Sequence, residues 1–398
     1  MTRVASELHR DTPVAAPGEV RPLAVGPLSV WPPVVLAPMA GVTNYPFRAL
    51  CRRFGAGLYV SEMITARGFL LGNRLTQLLA SSRQDEAPRS VQIYGSEPAD
   101  VEEFARALAG EGVSHIDMNF GCPVPKVTRC GGGSAIPLRP RLLARLVRAA
   151  VRGGGGVPVT IKVRKGTDDA HLSYLDAGRV AEDEGAAAIG LHARTAAQLY
   201  SGEADWDAIA QLKRALRIPV LGNGDIWECW DALAMLRRTG CDGVIVGRGC
   251  LGRPWLFREL ADVCAGREPA PPPCFGAVAE IALEHAAGLV EFFGPRMGML
   301  QMRKWAAWYT KGFRGGNAVR AGLNGLHTLD DLRALFAALD PSEPFPRAAL
   351  RAQRAKSGRV QTVALPQGWL DDPLADTAPA EACDADEAGQ LDDALQGG

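Results

Sequence analysis

The sequence predicts an α/β chain in which a closed (β/α)8 barrel is followed by a small all-helical domain, and three observations carry that reading. Eight short apolar runs, at residues 34–37, 58–61, 91–94, 115–119, 159–163, 188–192, 220–223 and 243–247, recur at the roughly 25–40-residue spacing of βα units. Each run ends in polar or glycine residues and is followed by a stretch with helical face periodicity, as at residues 101–108 and 142–151. Beyond Trp255 the strand-like runs cease, and after the proline-rich joint at 269–273 only helical patterns remain, at 278–293, 297–311 and 329–339. Eight consecutive units favour closure into a TIM barrel over an open doubly wound sheet.

In chain order, residues 1–22 combine charge with Pro and Gly but hold no apolar core, so a disordered N-terminal arm is expected. Residues 23–262 form the barrel, with 23–30 as a hairpin plugging its floor. Residues 274–348 form the helical domain, and 349–398 an irregular extension ending in an acidic disordered tail. A chain that is 47% hydrophobic and 22% charged is an ordinary globular one. No run of about 18 apolar residues occurs, which excludes a membrane-spanning helix. No signal peptide is visible, and nine scattered cysteines make no disulfide framework, so a cytoplasmic location is expected.

The net charge of zero hides an asymmetry. Residues 371–398 hold nine acidic residues and no Lys or Arg, leaving 44 basic against 35 acidic, a net +9, on the first 370. Residues 296–359 hold twelve Lys/Arg against Asp330, Asp331, Asp340 and Glu343, a net +8. Such a block suits a polyanion, although a solvated helix face explains it equally.

In this fold, chemistry lies at the C-terminal ends of the strands. Those ends carry Pro38-Met39-Ala40, Ser61-Glu62, Gln92, Asn119 with Cys122, Lys162 with Arg164, His192 with Arg194, Gly222-Asn223-Gly224-Asp225 and Gly247-Arg248-Gly249. Singly, each has a mundane alternative: Gln92 as a helix cap, His192 as a satisfied strand-end histidine, Lys162 as an ion-pair partner. Their convergence at one barrel mouth favours a site. Cys122 lies between Gly121 and Pro123, which fix the backbone and keep the thiol out of any helix or strand interior. The loops after the seventh and eighth strands are the usual phosphate site of the fold. A phosphate held there, with Lys162 to stabilise an anionic ring and Gln92 to meet ring heteroatoms, fits flavin mononucleotide. No GxGxxG follows an early strand, which argues against a Rossmann-bound dinucleotide. No metal is expected, because Cys122 and Cys130 have no CxxC or HxxxH to complete a ligand set.

With these residues in view, the chain resembles the tRNA-dihydrouridine synthases, most of all their bacterial B-type branch. The resemblance is carried by Leu-Ala-Pro-Met-Ala-Gly-Val-Thr-Asn at 36–44, Asn-Phe-Gly-Cys-Pro-Val-Pro-Lys-Val at 119–127, His-Ala-Arg-Thr at 192–195, Gly-Asn-Gly-Asp-Ile at 222–226 and Gly-Arg-Gly at 247–249. It implies FMN- and NADPH-dependent reduction of the C5–C6 double bond of a D-loop uridine. Pro38, Met39, Ala40, Gln92, Lys162, His192, Asn223, Gly224, Asp225, Gly247 and Arg248 match the flavin contacts. Cys122 matches the proton donor and Asn119 the group that orients the uracil edge. Lys126 and Arg194 are expected on the substrate, and the helical domain on tRNA, with Trp305, Trp308 and Tyr309 as core. No protein partner is evident.

The sequence departs from the family pattern in a glycine-rich catalytic loop, Cys130 to Gly133, and in the acidic tail, which is expected to compete with RNA for the basic face. Two other readings stand beside this one. An FMN barrel acting on a free pyrimidine or small enone leaves the basic domain without a role. A tRNA-binding folding factor would make the flavin structural and Cys122 dispensable.

Overall fold

The computed structural model describes residues 9, 11–81, 83, 85–354 and 359–378. A two-stranded antiparallel hairpin, β1 (Leu23–Val25) and β2 (Leu28–Val30), precedes the barrel. The barrel strands are β3 (Val34–Leu36), β4 (Leu58–Thr65), β5 (Ser90–Tyr94), β6 (His115–Phe120), β7 (Val159–Arg164), β8 (Ala188–His192), β9 (Val220–Asn223) and β10 (Gly243–Val246). All pair in parallel in chain order, and β10 closes the ring against β3. The eight runs read from the sequence are thus the eight strands of a (β/α)8 barrel.

The two-residue period of a strand divides the barrel into an outer and an inner layer. Outward residues such as Ile116, Met118, Phe120, Ile161 and Val163 join the surrounding helices in one continuous buried core. Burying each contributes roughly 1.5–3 kcal/mol. The inner layer has two chemistries. Val35, Leu58, Val60, Ala188, Leu221 and Ile245 pack with Leu23, Val25 and Val30 of the hairpin, which closes the barrel floor as expected. The intervening strands β5 to β7 instead contribute buried polar groups, Ser90, Gln92, His115, Asp117 and Thr160.

One strand differs from expectation. Ser61-Glu62 read as a strand end, yet β4 runs on to Thr65 through a register shift between Val60 and Met63. The shift is held by Ser61 Oγ, which accepts the Gln92 N–H at 3.0 Å, and by Glu62, which accepts the Gly41 N–H. It delivers Met63 to the barrel mouth.

After the barrel, Phe275–Phe293 and Pro295–Tyr309 form a helical hairpin turned at Gly294, followed by shorter helices at Gly316–Gly322 and Leu329–Ala337. It docks on the barrel through the Tyr45–Arg53 helix, where the Phe47 ring lies 4.4 Å from Trp305 and 5.5 Å from His285. Trp305 and Tyr309 are core residues. No helix among the described residues is long and apolar enough to cross a membrane.

Both ends depart from the unstructured segments expected of them. Residues 11–22 lie against the barrel: the Ala15 N–H reaches Val263 O at 3.0 Å, and Glu19 pairs with Arg237. That pairing holds the Glu19 carboxyl down at about 2. At the other end, Asp376 pairs with Arg145 at 2.9 Å, and Arg139 donates to Thr377 O at 3.0 Å. Residues 1–8 and 10, and most of the acidic tail (379–398), lie outside the described residues.

Phe47 is fully buried at the junction of barrel and helical hairpin. Phe47→Ala is expected to lower the unfolding free energy by about 3–5 kcal/mol, read from the denaturant midpoint.

Candidate active site

The C-terminal ends of the strands enclose a cavity of about 530 Å³. Its wall includes Pro38, Met39, Ala40, Gln92, Asn119, Cys122, Lys162, His192, Asn223, Gly224, Asp225, Gly247 and Arg248. Thirteen positions from seven separate stretches of sequence therefore meet in one place.

A hydrogen-bonded relay crosses the polar half of the barrel and ends at the thiol loop. Asp117 accepts from Thr160 Oγ1 at 2.5 Å and from Gln92 Nε2 at 2.7 Å. Gln92 must then turn its Oε1 outward, where it accepts from Asn119 Nδ2 at 2.8 Å. That in turn aims Asn119 Oδ1 at the backbone N–H groups of Gly121 (3.1 Å) and Cys122 (2.9 Å). At the other end, Thr160 contacts His115 Nε2 at 2.8 Å, and His115 Nδ1 contacts Ser90 Oγ at 2.7 Å. Because Thr160 spends its proton on Asp117, His115 donates from Nε2 and accepts at Nδ1. Burial pulls the imidazole down to about 4, so it is neutral at pH 7. Burial pushes Asp117 up to about 6, against the hydrogen bonds from Thr160 and Gln92 and the charge of Lys162.

The Cys122 loop is fixed from several sides. Arg164 Nε donates to Gly121 O at 3.0 Å, while its Nη1 donates to Thr195 O and Leu199 O, tying the loop to the one after β8. The Ser134 N–H donates to Cys122 O at 3.0 Å. Burial raises the Cys122 thiol above its ordinary value, opposed more weakly by the Val124 N–H and by Arg164. The group is therefore a neutral thiol at pH 7.

The remaining wall is cationic. Burial, with Arg164 adjacent, lowers Lys162 to about 8, partly restored by Asp117. Burial and the charges of Arg164, Lys162, Arg194 and Arg248 hold His192 well below its usual value, so it stays a neutral imidazole. Arg248 lies 4.2 Å from the Tyr200 ring and 5.0 Å from Trp227. Asn223 Nδ2 donates to Ile245 O at 2.7 Å, joining β9 to β10. The loops after these strands come so close that a Cβ on Gly249 would lie 2.2 Å from Ile226 O, which only glycine tolerates.

Two residues expected on the substrate, Arg194 and Lys126, lie off the cavity wall. Arg194 is 2% exposed and absent from the wall. Its Nη2 holds both carboxylate oxygens of Asp225, at 2.9 and 2.8 Å, and Gly202 O at 2.6 Å. The carboxylate just past the neighbouring strand, β9, claims it, so it braces the corner from behind the cavity wall. Lys126, in the short helix Pro125–Thr128, is half-buried and also off the wall. Asn119 lines the cavity, but both ends of its amide are engaged by protein.

The basic block is less available than its charge count implied. Arg354 is buried, donating to Trp308 O, and Arg351 pairs with Glu228 and Asp231. Lys311 donates to Gln353 O, and Arg303 to Asn324 O. Arg296, Arg314, Arg320, Arg347 and Arg359 remain exposed. Sequence reasoning also missed wall residues Met63, Tyr200, Trp227, Trp308 and Arg359. Arg164, named as a strand end but not assigned a role, was visible two residues past Lys162 on the same strand face.

The model of the dihydrouridine synthase (Dus) family matches residues 35–343. A protein of Mycobacterium tuberculosis described as a probable tRNA-dihydrouridine synthase is 53% identical over 362 residues, covering 88% of this chain and 93% of that one. A Mycobacterium leprae protein of the same description is 51% identical over 378 residues, covering 87% and 98%. A tRNA-dihydrouridine synthase B of Xanthomonas axonopodis pv. citri is 42% identical over 313 residues, covering 79% and 94%. The barrel, its thiol loop and the extent of these matches together make the chain a member of the dihydrouridine synthase family of oxidoreductases.

Proposed function

We propose that this protein is a tRNA-dihydrouridine synthase, reducing the C5–C6 double bond of a uridine in the tRNA D-loop with FMN and NADPH. The observation that carries the reading is a single cavity combining a neutral thiol, Cys122, with a cationic corner built from β7, β9 and β10. The corner fits a flavin phosphate and ring. Arg194 Nη1 is buried just behind it, beside Gly224, with no hydrogen-bond partner among the described residues. Asp225 is already neutralised by Arg194, which leaves Arg248 and Lys162 to balance an external anion.

When bound, reduced FMN would supply a hydride to uracil C6, the electrons coming from NADPH. The chain supplies the rest. Cys122 gives its proton to C5, so two C–H bonds replace the π bond and the thiolate is reprotonated from water. A thiol raised by burial is fully protonated at neutral pH, as an acid must be. Lys162 holds negative charge at the ring, and neutral His192 offers a hydrogen bond without adding to the local positive charge. Asn119 and Gln92 act chiefly by holding the Cys122 loop in place. A uridine in folded tRNA must be extruded to reach the barrel mouth, at a cost of a few kcal/mol. Phosphate contacts from the exposed arginines of the helical domain would offset that cost.

Cys122→Ala is expected to lower dihydrouridine formation by about 10²–10⁴-fold while FMN and tRNA binding persist. Mass spectrometry of tRNA after a fixed reaction time reads this directly, and wild-type product would remove Cys122 from the chemistry. The same assay with free uridine in place of tRNA is expected to show little turnover.

The pH dependence follows from Lys162. Its charged form exists below about 8 and is lost as pH rises through that value. Single-turnover oxidation of the reduced flavin by tRNA is therefore expected to slow above about pH 8. Lys162→Met should be slow throughout and lack that limb.

A further inference from the structure

The family match ends at residue 343, yet the chain continues and returns to the active site. Residues 344–354 are anchored on the barrel, with Arg253 donating to Leu350 O at 2.7 Å and Arg351 pairing with Glu228. Residues 359–378 then lie along the catalytic loop. The Gln361 N–H donates to Ala197 O at 2.9 Å. Its side-chain Nε2 donates to Pro123 O at 3.1 Å and to Ala196 O at 3.4 Å. Pro123 is the residue next to Cys122. Arg359, two positions earlier, contributes to the cavity wall, as do Pro123 and Val124.

The second anchor is Trp369, a residue with no helix or strand around it that is nonetheless only 1% exposed. Its indole Nε1 donates to Ala135 O at 3.1 Å. The Arg139 guanidinium stacks 3.7 Å from its ring and donates from Nε to Trp369 O at 3.2 Å. The ring fills the space beside Gly131, whose φ is +71°, and a Cβ there would lie 2.5 Å from the indole. The unusual glycine of the catalytic loop is thus the seat of this tryptophan. Gly131 is shaped for the strap, and the strap is shaped for Gly131.

Every peptide group around Cys122 named above has a partner in the barrel or the loop, except Pro123 O, whose partner is Gln361. We infer that residues 359–378 are a built part of the active site, a strap in which Gln361 and Trp369 are positioning residues for the Cys122 loop. This rests on the proposed role of Cys122 for its catalytic consequence, but not for its structural one. Misplacing a proton donor by about 1 Å costs on the order of 10²-fold, so the strap sets the rate of proton delivery and leaves reduction of the flavin by NADPH untouched.

The test uses the full-length flavoprotein and its Gln361→Ala, Trp369→Ala and Trp369→Phe variants. Hydrogen–deuterium exchange reads the amides of residues 121–135, and stopped-flow absorbance separates flavin reduction by NADPH from its oxidation by tRNA. The expected result is faster exchange in 121–135 for both alanine variants, with tRNA-dependent oxidation slowed about 10- to 100-fold. Reduction by NADPH should stay within about twofold of wild type, and Trp369→Phe should recover most of the loss. Unchanged exchange in 121–135 for Trp369→Ala would overturn the strap, as would an equal slowing of both half-reactions. If the functional reading alone were wrong, wild-type protein would fail to oxidise its flavin with tRNA while the exchange difference persisted.

Discussion

The arrangement depends on one buried carboxylate. Asp117 can only accept hydrogen bonds when ionised, and it receives them from Thr160 and Gln92 in the dry interior of the barrel. A side-chain amide has a donor end and an acceptor end, so fixing one fixes the other. Asp117 therefore sets the orientation of Gln92, which sets Asn119, which seizes the N–H groups of Gly121 and Cys122. Three side chains on two neighbouring strands convert a charge in the barrel core into the conformation of a loop at its rim. Reversing any amide in the chain would leave two donors or two acceptors face to face, a cost of about 1–3 kcal/mol for each buried group left unsatisfied.

The electrostatics of the cavity follow from the same economy of burial. Lys162, Arg164 and Arg248 line it, Arg194 lies behind it, and each pays for burial in a different way. Arg194 is neutralised by Asp225, and Arg164 is spread over three carbonyls. Arg248 stacks on Tyr200, and Lys162 is lowered toward neutrality. Burial and the field together keep His192 uncharged, while burial outweighs the neighbouring cation at Cys122 and keeps the sulfur protonated. A neutral thiol and a cationic lysine thus coexist at one pH because their surroundings differ.

The sequence made the barrel legible because its signal is repeated eight times, and each strand end was marked by a change from apolar to polar or glycine residues. The floor hairpin was legible from two short apolar runs about a turn. Roles were harder. Arg194 looked like a substrate contact because its partner, Asp225, lies 31 residues away in sequence, and only the pairing of β8 with β9 brings them together. The basic block misled for a similar reason, since Arg351 and Arg354 read as surface charge but are claimed by Asp231 and by a backbone carbonyl. Trp369 and Gln361 were invisible: they belong to no periodic element, and their partners are more than 160 residues away.

The central claim is that Cys122 works as a neutral acid because burial outweighs the adjacent guanidinium. The most direct measurement is the pH dependence of Cys122 alkylation by iodoacetamide, resolved from the other cysteines by peptide mass spectrometry. The account predicts a thiol-to-thiolate midpoint above the value of about 8.5 for an unperturbed cysteine. A midpoint below pH 7, which would make the resting group a thiolate stabilised by Arg164, would contradict it.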